Sequence, residues 1–157
     1  TMTLLSTIEQ EVSYLSKKTR FEYSTLEEAN AIIFDDLPTS EFPVCLVLAF
    51  DTQDVSRNNG VVISQAELNI LFLDRVPRET NDLPVNEAEN LIIAPMRGLA
   101  RELINRLDNS DIVEENGIES VVHQSVHEAL TDANLFGNWA IFTIKFSEDL
   151  TTCSHDD

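Results

Sequence analysis

The sequence predicts an α+β fold, a mainly antiparallel sheet of about four or five strands covered on one face by an N-terminal helix and a long central helix. Three observations lead there. An amphipathic stretch opens the chain, a long apolar-striped stretch occupies its middle, and strand-like runs fall in pairs before and after that stretch. Residues 1–150 are expected to form one domain, followed by a mobile acidic tail at 151–157 with too little apolar content to pack.

Residues 3–17 place Leu4, Leu5, Ile8, Val12 and Leu15 on one face, which predicts a first amphipathic helix. RFEY, with Phe21 and Tyr23 on one side, has the form of a short strand, and the spacing of Leu26, Ala29, Ala31, Ile32 and Ile33 permits a short helix after it. Pro38 and Pro43 bracket a turn-rich passage. VCLVLAF, a nearly continuous apolar run, is then a strand buried on both faces or near the sheet centre. The polar stretch DTQDVSRNNG closes on Asn59-Gly60 and is expected to be a long hairpin loop of about ten residues, leading into a long strand over VVISQAELNILFLD.

A connector carrying Arg75, Pro77 and Arg78 reaches the stretch from Pro84 to Asp108. Its apolar residues Ala88, Leu91, Ile92, Pro95, Met96, Leu99, Ala100, Leu103, Ile104 and Leu107 follow helical spacing. Asn86 with Glu89 three residues on has the form of an N-terminal cap. Pro95 opposes the helix by about 3 kcal/mol and Gly98 by about 1 relative to alanine. A kink near Ala94 is therefore expected, either to wrap the helix over a curved sheet or to let a neighbouring subunit approach at Gly98. NSDIVEENG is then read as an acidic loop; in IESVVHQSVHEAL, Val121, His123 and Ser125 alternate as in a strand while Val122, Val126 and Ala129 fit a helix, and the Ile and Val content favours strand. After a turn around Asn134 to Asn138, WAIFTIKF alternates most clearly of all.

Lys+Arg 10 against Asp+Glu 28 gives a formal charge of −18. Affinity for nucleic acid rests on neutralising phosphates with basic side chains, so this balance argues against a specific nucleic-acid binder, and equally against docking on an anionic membrane. No run approaches the length of a membrane span and no signal-peptide pattern opens the chain, so folding in a cytoplasm is expected. The two cysteines, Cys45 and Cys153, have no spacing that suggests a disulfide framework or a zinc site; Cys45 reads as a buried thiol and Cys153 as exposed in the tail.

Catalytic chemistry leaves no signature. His123 and His127 are four apart, which on a strand separates them by about 13 Å, too far to share an ion. The acidic loop starting at Asp108 has Val113 where a calcium loop needs glycine. Asp35-Asp36 and Glu114-Glu115 are sequence neighbours, which seldom converge on one atom. No glycine-rich phosphate loop or nucleophile elbow occurs. No catalytic residue, cofactor or metal site is expected.

The order of elements supplies a resemblance. A first amphipathic helix, FPVCLVL, a polar loop, AELNILFLD, ENLIIAPMRGLARELINRL and a late strand pair ending in GNWAIFTIKF, over roughly residues 3–150, resemble the tail-terminator or tail-completion proteins of tailed bacteriophages. The resemblance is one of layout. It implies a non-enzymatic virion protein, assembled in the host cytoplasm, that forms a ring with itself, usually hexameric, caps the tail tube and joins it to the head connector. Carried onto this chain, the loop around Arg57, Asn58 and Asn59 and the connector with Arg75 and Arg78 become candidate contacts with subunits or partners. The charge suggests acidic residues lining the ring opening, past which DNA slides without capture. The competing readings are an acidic interaction protein, an inhibitor or DNA mimic that binds a basic partner, and an enzyme with scattered active-site residues.

Overall fold

The computed structural model describes residues 3–29, 42–58, 60–75, 85–127 and 135–148. Helix α1 (Leu4–Val12) starts on a reciprocal cap: the Thr3 hydroxyl accepts from the Ser6 amide at 3.1 Å, and the Ser6 hydroxyl accepts from the Thr3 amide at 2.9 Å. It ends earlier than the expected 17, because Ser13 turns its hydroxyl back onto the Gln10 carbonyl, a local bond that competes with helix continuation. Leu15 nevertheless stays buried in the same core as Leu4, Ile8 and Val12. Strand β1 (Arg20–Ser24) confirms the RFEY reading, and the helical turn after it, α2 (Leu26–Glu28), is capped by Thr25.

Strands β2 (Val44–Leu48), β3 (Gln53–Asn58), β4 (Val61–Arg75), β5 (Val113–Val126) and β6 (Leu135–Phe146) complete the sheet. Among the described residues it has six strands, in the order β1-β2-β4-β6-β5, with β3 also paired to β4. The expected fold class holds, with two differences. The β1–β2 pair is parallel, and the polar stretch expected to be a loop is the strand β3, antiparallel to the first residues of β4. Its side chains carry no apolar alternation to announce it; Asp54 organises it instead, accepting from Arg57 Nη2 at 2.8 Å and from the Ser64 hydroxyl at 3.2 Å.

One face of the sheet carries the main core. Cys45 and Val47 of β2, Ala66, Leu68, Ile70 and Phe72 of β4, and Ala140, Phe142, Ile144 and Phe146 of β6 meet α1 and the long helix there. Each fully buried Val, Leu, Ile or Phe among them contributes about 1.5–3 kcal/mol. The opposite face holds a second, smaller cluster at one end, with Val44, Leu46, Leu71, Leu73, Val126 and Leu135 buried beside Ala29. VCLVL is thus covered on both sides, as its continuous apolar run implies.

The central stretch forms α3 (Val85–Ala88), a π-helical segment (Glu89–Ile93) and α4 (Ala94–Asp108). The expected kink is therefore a wide turn, in which the Ala94 amide bonds the Glu89 carbonyl five residues back. Pro95 falls in the first turn of α4, the helical position that tolerates a missing amide. Asn86 lies inside α3, so the expected cap is misplaced. Leu91, assigned to the buried stripe, is instead 66% exposed, because the wide turn rotates it away from Ile92 and Ile93.

The expected acidic loop ends sooner than NSDIVEENG suggests. Its later residues belong to β5, where the six residues from Val113 to Ile118 oppose only the three from Phe146 to Ile144. Asn116 at φ 57° and Gly117 make this bulge; a Cβ on Gly117 would stand 2.7 Å from the carbonyl oxygens of Glu114 and Lys145. A second bulge lies at Ser120, φ 59°. Likewise Leu135 to Asn138, expected in the turn before the last strand, belong to β6, and Asn134 lies outside the described residues. The expected helical residues 31–33, the passage at Pro38, and the tail with Cys153 lie outside the described residues.

Candidate subunit interface

Strand β4 is longer than its neighbours. Its pairing with β6 begins at Ser64, opposite Phe146, so Val61 to Ile63 run past the end of β6 and, among the described residues, pair only with β3. Asn58 pairs with Val61, and Gly60 at φ 80° turns the chain between them. The result is a two-stranded arm beyond the main sheet. It exposes Val55 (43%) and Val61 (56%) to solvent. Asp54 is held below the usual carboxylate range, first by the hydrogen bond from Arg57.

Arg57 and Asn58 thus lie on this arm rather than in a loose loop, and Arg57 is ion-paired with Asp54. Arg75 terminates β4 at its other end, its guanidinium 4.6 Å from the centre of the Phe42 ring. Arg75 lies thirteen steps along the strand from Val62, the partner of Arg57, a span of roughly 40 Å at about 3.3 Å per residue. The two basic positions therefore cannot form one contact patch. Asn59 and Arg78 lie outside the described residues.

Strand β5 forms one edge of the sheet, with β6 as its partner on the inner side. It exposes Val121 (40%) and Val122 (49%) next to the Ser120 bulge. Sequence reasoning placed a strand here but not an edge, since edge position depends on strand order, which the local pattern does not carry. On the inner side, Asn138 is fully buried and its Nδ2 lies 2.9 Å from His123 Nδ1. His123 is held below its usual pKa, first by burial and then by the charges of Arg101 and Arg97. His127 packs edge-on against Phe136 at 6.0 Å.

A cleft of about 380 Å³ lies between α1 and the end of α4, lined by Glu11, Glu102, Asn105, Arg106, Asn109 and Ser110. Its polar groups hold the fold together. Arg106 Nε donates to Glu11 at 2.9 Å and its guanidinium sits 5.3 Å over the Tyr14 ring; Glu102 accepts from both the amide and the hydroxyl of Ser16 at 2.8 and 2.7 Å. Asn109 and Ser110 are turned onto carbonyls of α4. The lining side chains include no nucleophile paired with a base.

Cys45 is fully buried, which pushes its thiol pKa far up and leaves it unreactive. Among the described residues no group of three or more His, Cys, Asp or Glu is placed to hold a metal, and no helix is long and apolar enough to cross a membrane. Compared with protein-family models and with the curated proteins, the chain matches none. What the geometry offers to a partner is surface: an overhanging arm, an edge strand and the exposed turn at Leu91.

Proposed function

We propose that this chain is a non-enzymatic, ring-forming structural protein of a tailed bacteriophage virion, of the tail-terminator or tail-completion kind, which caps the tail tube and meets the head connector. The observation that carries the reading is the β3–β4 arm. A two-stranded extension that leaves valines in solvent gains nothing for a lone subunit and suits reaching a neighbour. The layout described from the sequence supports the same reading, and the charge of −18 suits a ring opening that DNA traverses without being held.

Light scattering and negative-stain microscopy of the purified chain, alone and with the phage's tail tube protein, test it. The expected result is a closed multimer, formed alone or on adding tube protein. A chain that stays monomeric in both conditions and captures a basic DNA-binding protein overturns the reading in favour of an acidic inhibitor or DNA mimic. A ring whose opening is neutral or basic overturns the role given to the charge.

A further inference from the structure

Several cations of this acidic chain are spent within the fold: Arg20 bonds Glu22 at 2.6 Å, Arg57 bonds Asp54 and Arg106 bonds Glu11. Arg97 and Arg101 are arranged differently. They stand one turn apart on α4, beside β5, where both act on His123. Arg97 is bonded to Glu89 at 2.8 Å, whereas Arg101 is exposed and, among the described residues, has no ion-pair partner. With His123 Nδ1 accepting from the buried Asn138 amide, the ring proton sits on Nε2, the nitrogen left free to donate. A strip of donors therefore runs beside a sheet edge that also exposes Val121 and Val122.

We propose that the β5 edge, flanked by Arg101 and His123, receives the β3 strand of a second copy of this chain, so that sheets join edge to edge around the assembly. Three features fit the two edges to each other. Both are extended strands without a second sheet neighbour among the described residues, and β3 lies across the sheet from β5, so the contact is head-to-tail and propagates instead of stopping at a dimer. Val55 of one copy meets Val121 of the next, removing from water two of the side chains that the isolated chain exposes. Exposed Asp51, at the start of the arm, brings a carboxylate to the Arg101 guanidinium, and the remaining acidic surface of the incoming copy is steered by the same charge.

This inference rests on the self-assembly proposed above, and its test separates the two. In a Cys153→Ser background, Val55→Cys and Val121→Cys are introduced together and singly, and the protein is oxidised under assembling conditions. The expected result is a ladder of disulfide-linked multimers from the double variant and not from either single one. Arg101→Glu is expected to lower the assembled fraction at least tenfold with an unchanged circular dichroism spectrum, and Asp51→Arg added to it is expected to restore assembly. A multimer that forms without cross-links and tolerates Arg101→Glu overturns the edge pairing while leaving the ring intact. A chain that never multimerises overturns both.

Discussion

The two ends of β4 are built on opposite terms. From Ile70 to Leu73 the strand lies between β2 and β6 and is buried on both faces, whereas from Val61 to Gln65 it borders β3 and is exposed or half-exposed. The same strand thus anchors the core at one end and projects an arm at the other. The contrast teaches that fold and association are separable here: damage at the buried end should cost stability, and damage at the arm should cost assembly.

The largest effect is expected at the buried end. A Cβ at Gly137 would stand 1.8 Å from the Phe72 carbonyl oxygen, so Gly137→Ala must force β4 and β6 apart. A loss of about 4 kcal/mol or more is expected in chemical denaturation, close to unfolding a domain of ordinary stability. Phe72→Ala, which empties a fully buried site, is expected to cost about 3–5 kcal/mol. At the arm, Val55→Asp with Val61→Asp is expected to shift stability by less than about 1 kcal/mol while abolishing the multimer seen by light scattering. Equal losses of stability at both ends would erase the distinction.

A smaller effect concerns pH. The folded pKa of His123 lies below its ordinary value near 6.5, so the unfolded chain takes up the proton more readily. The contribution of this group is complete above that ordinary value and is lost as pH falls from there through the folded pKa. His123→Gln is expected to flatten that part of a stability profile measured between pH 7 and 5, by an amount that Arg101→Gln also reduces. The smallest change is expected at Gly98, where an added Cβ meets nothing within 4 Å: Gly98→Ala should stabilise the helix by about 0.5–1 kcal/mol, read as a rise in Tm.

Most of the framework could be read from periodicity. WAIFTIKF, VCLVLAF and the three-and-four spacing of 99–107 each give one dominant pattern, and each lies where that pattern puts it. The misses have physical causes. QDVSRN carries no apolar alternation because neither of its faces is covered, so β3 was invisible until its partner was known. The distance between two of the candidate contact residues was equally hidden: Arg57 lies on β3 beside Val62 and Arg75 at the far end of β4, a separation that only the hairpin register reveals. The pairing of His123 with Asn138 is likewise tertiary: the two are diagonal neighbours on adjacent strands, where β5 and β6 align Ser125 with Asn138 and His123 with Ala140.

The wide turn at Glu89–Ile93 has a geometric consequence. Eight residues of regular α-helix advance about 800°, which would leave Arg97 roughly 80° around the axis from Glu89. One surplus residue in the coil makes the pair behave as though seven apart, about 20° from alignment, and their carboxylate and guanidinium meet across two turns at 2.8 Å. Rewinding this segment as regular α-helix at unchanged length would therefore unlatch that bridge and rotate everything upstream of it by about 100° relative to the sheet below, whereas removing one residue from it would leave both in place.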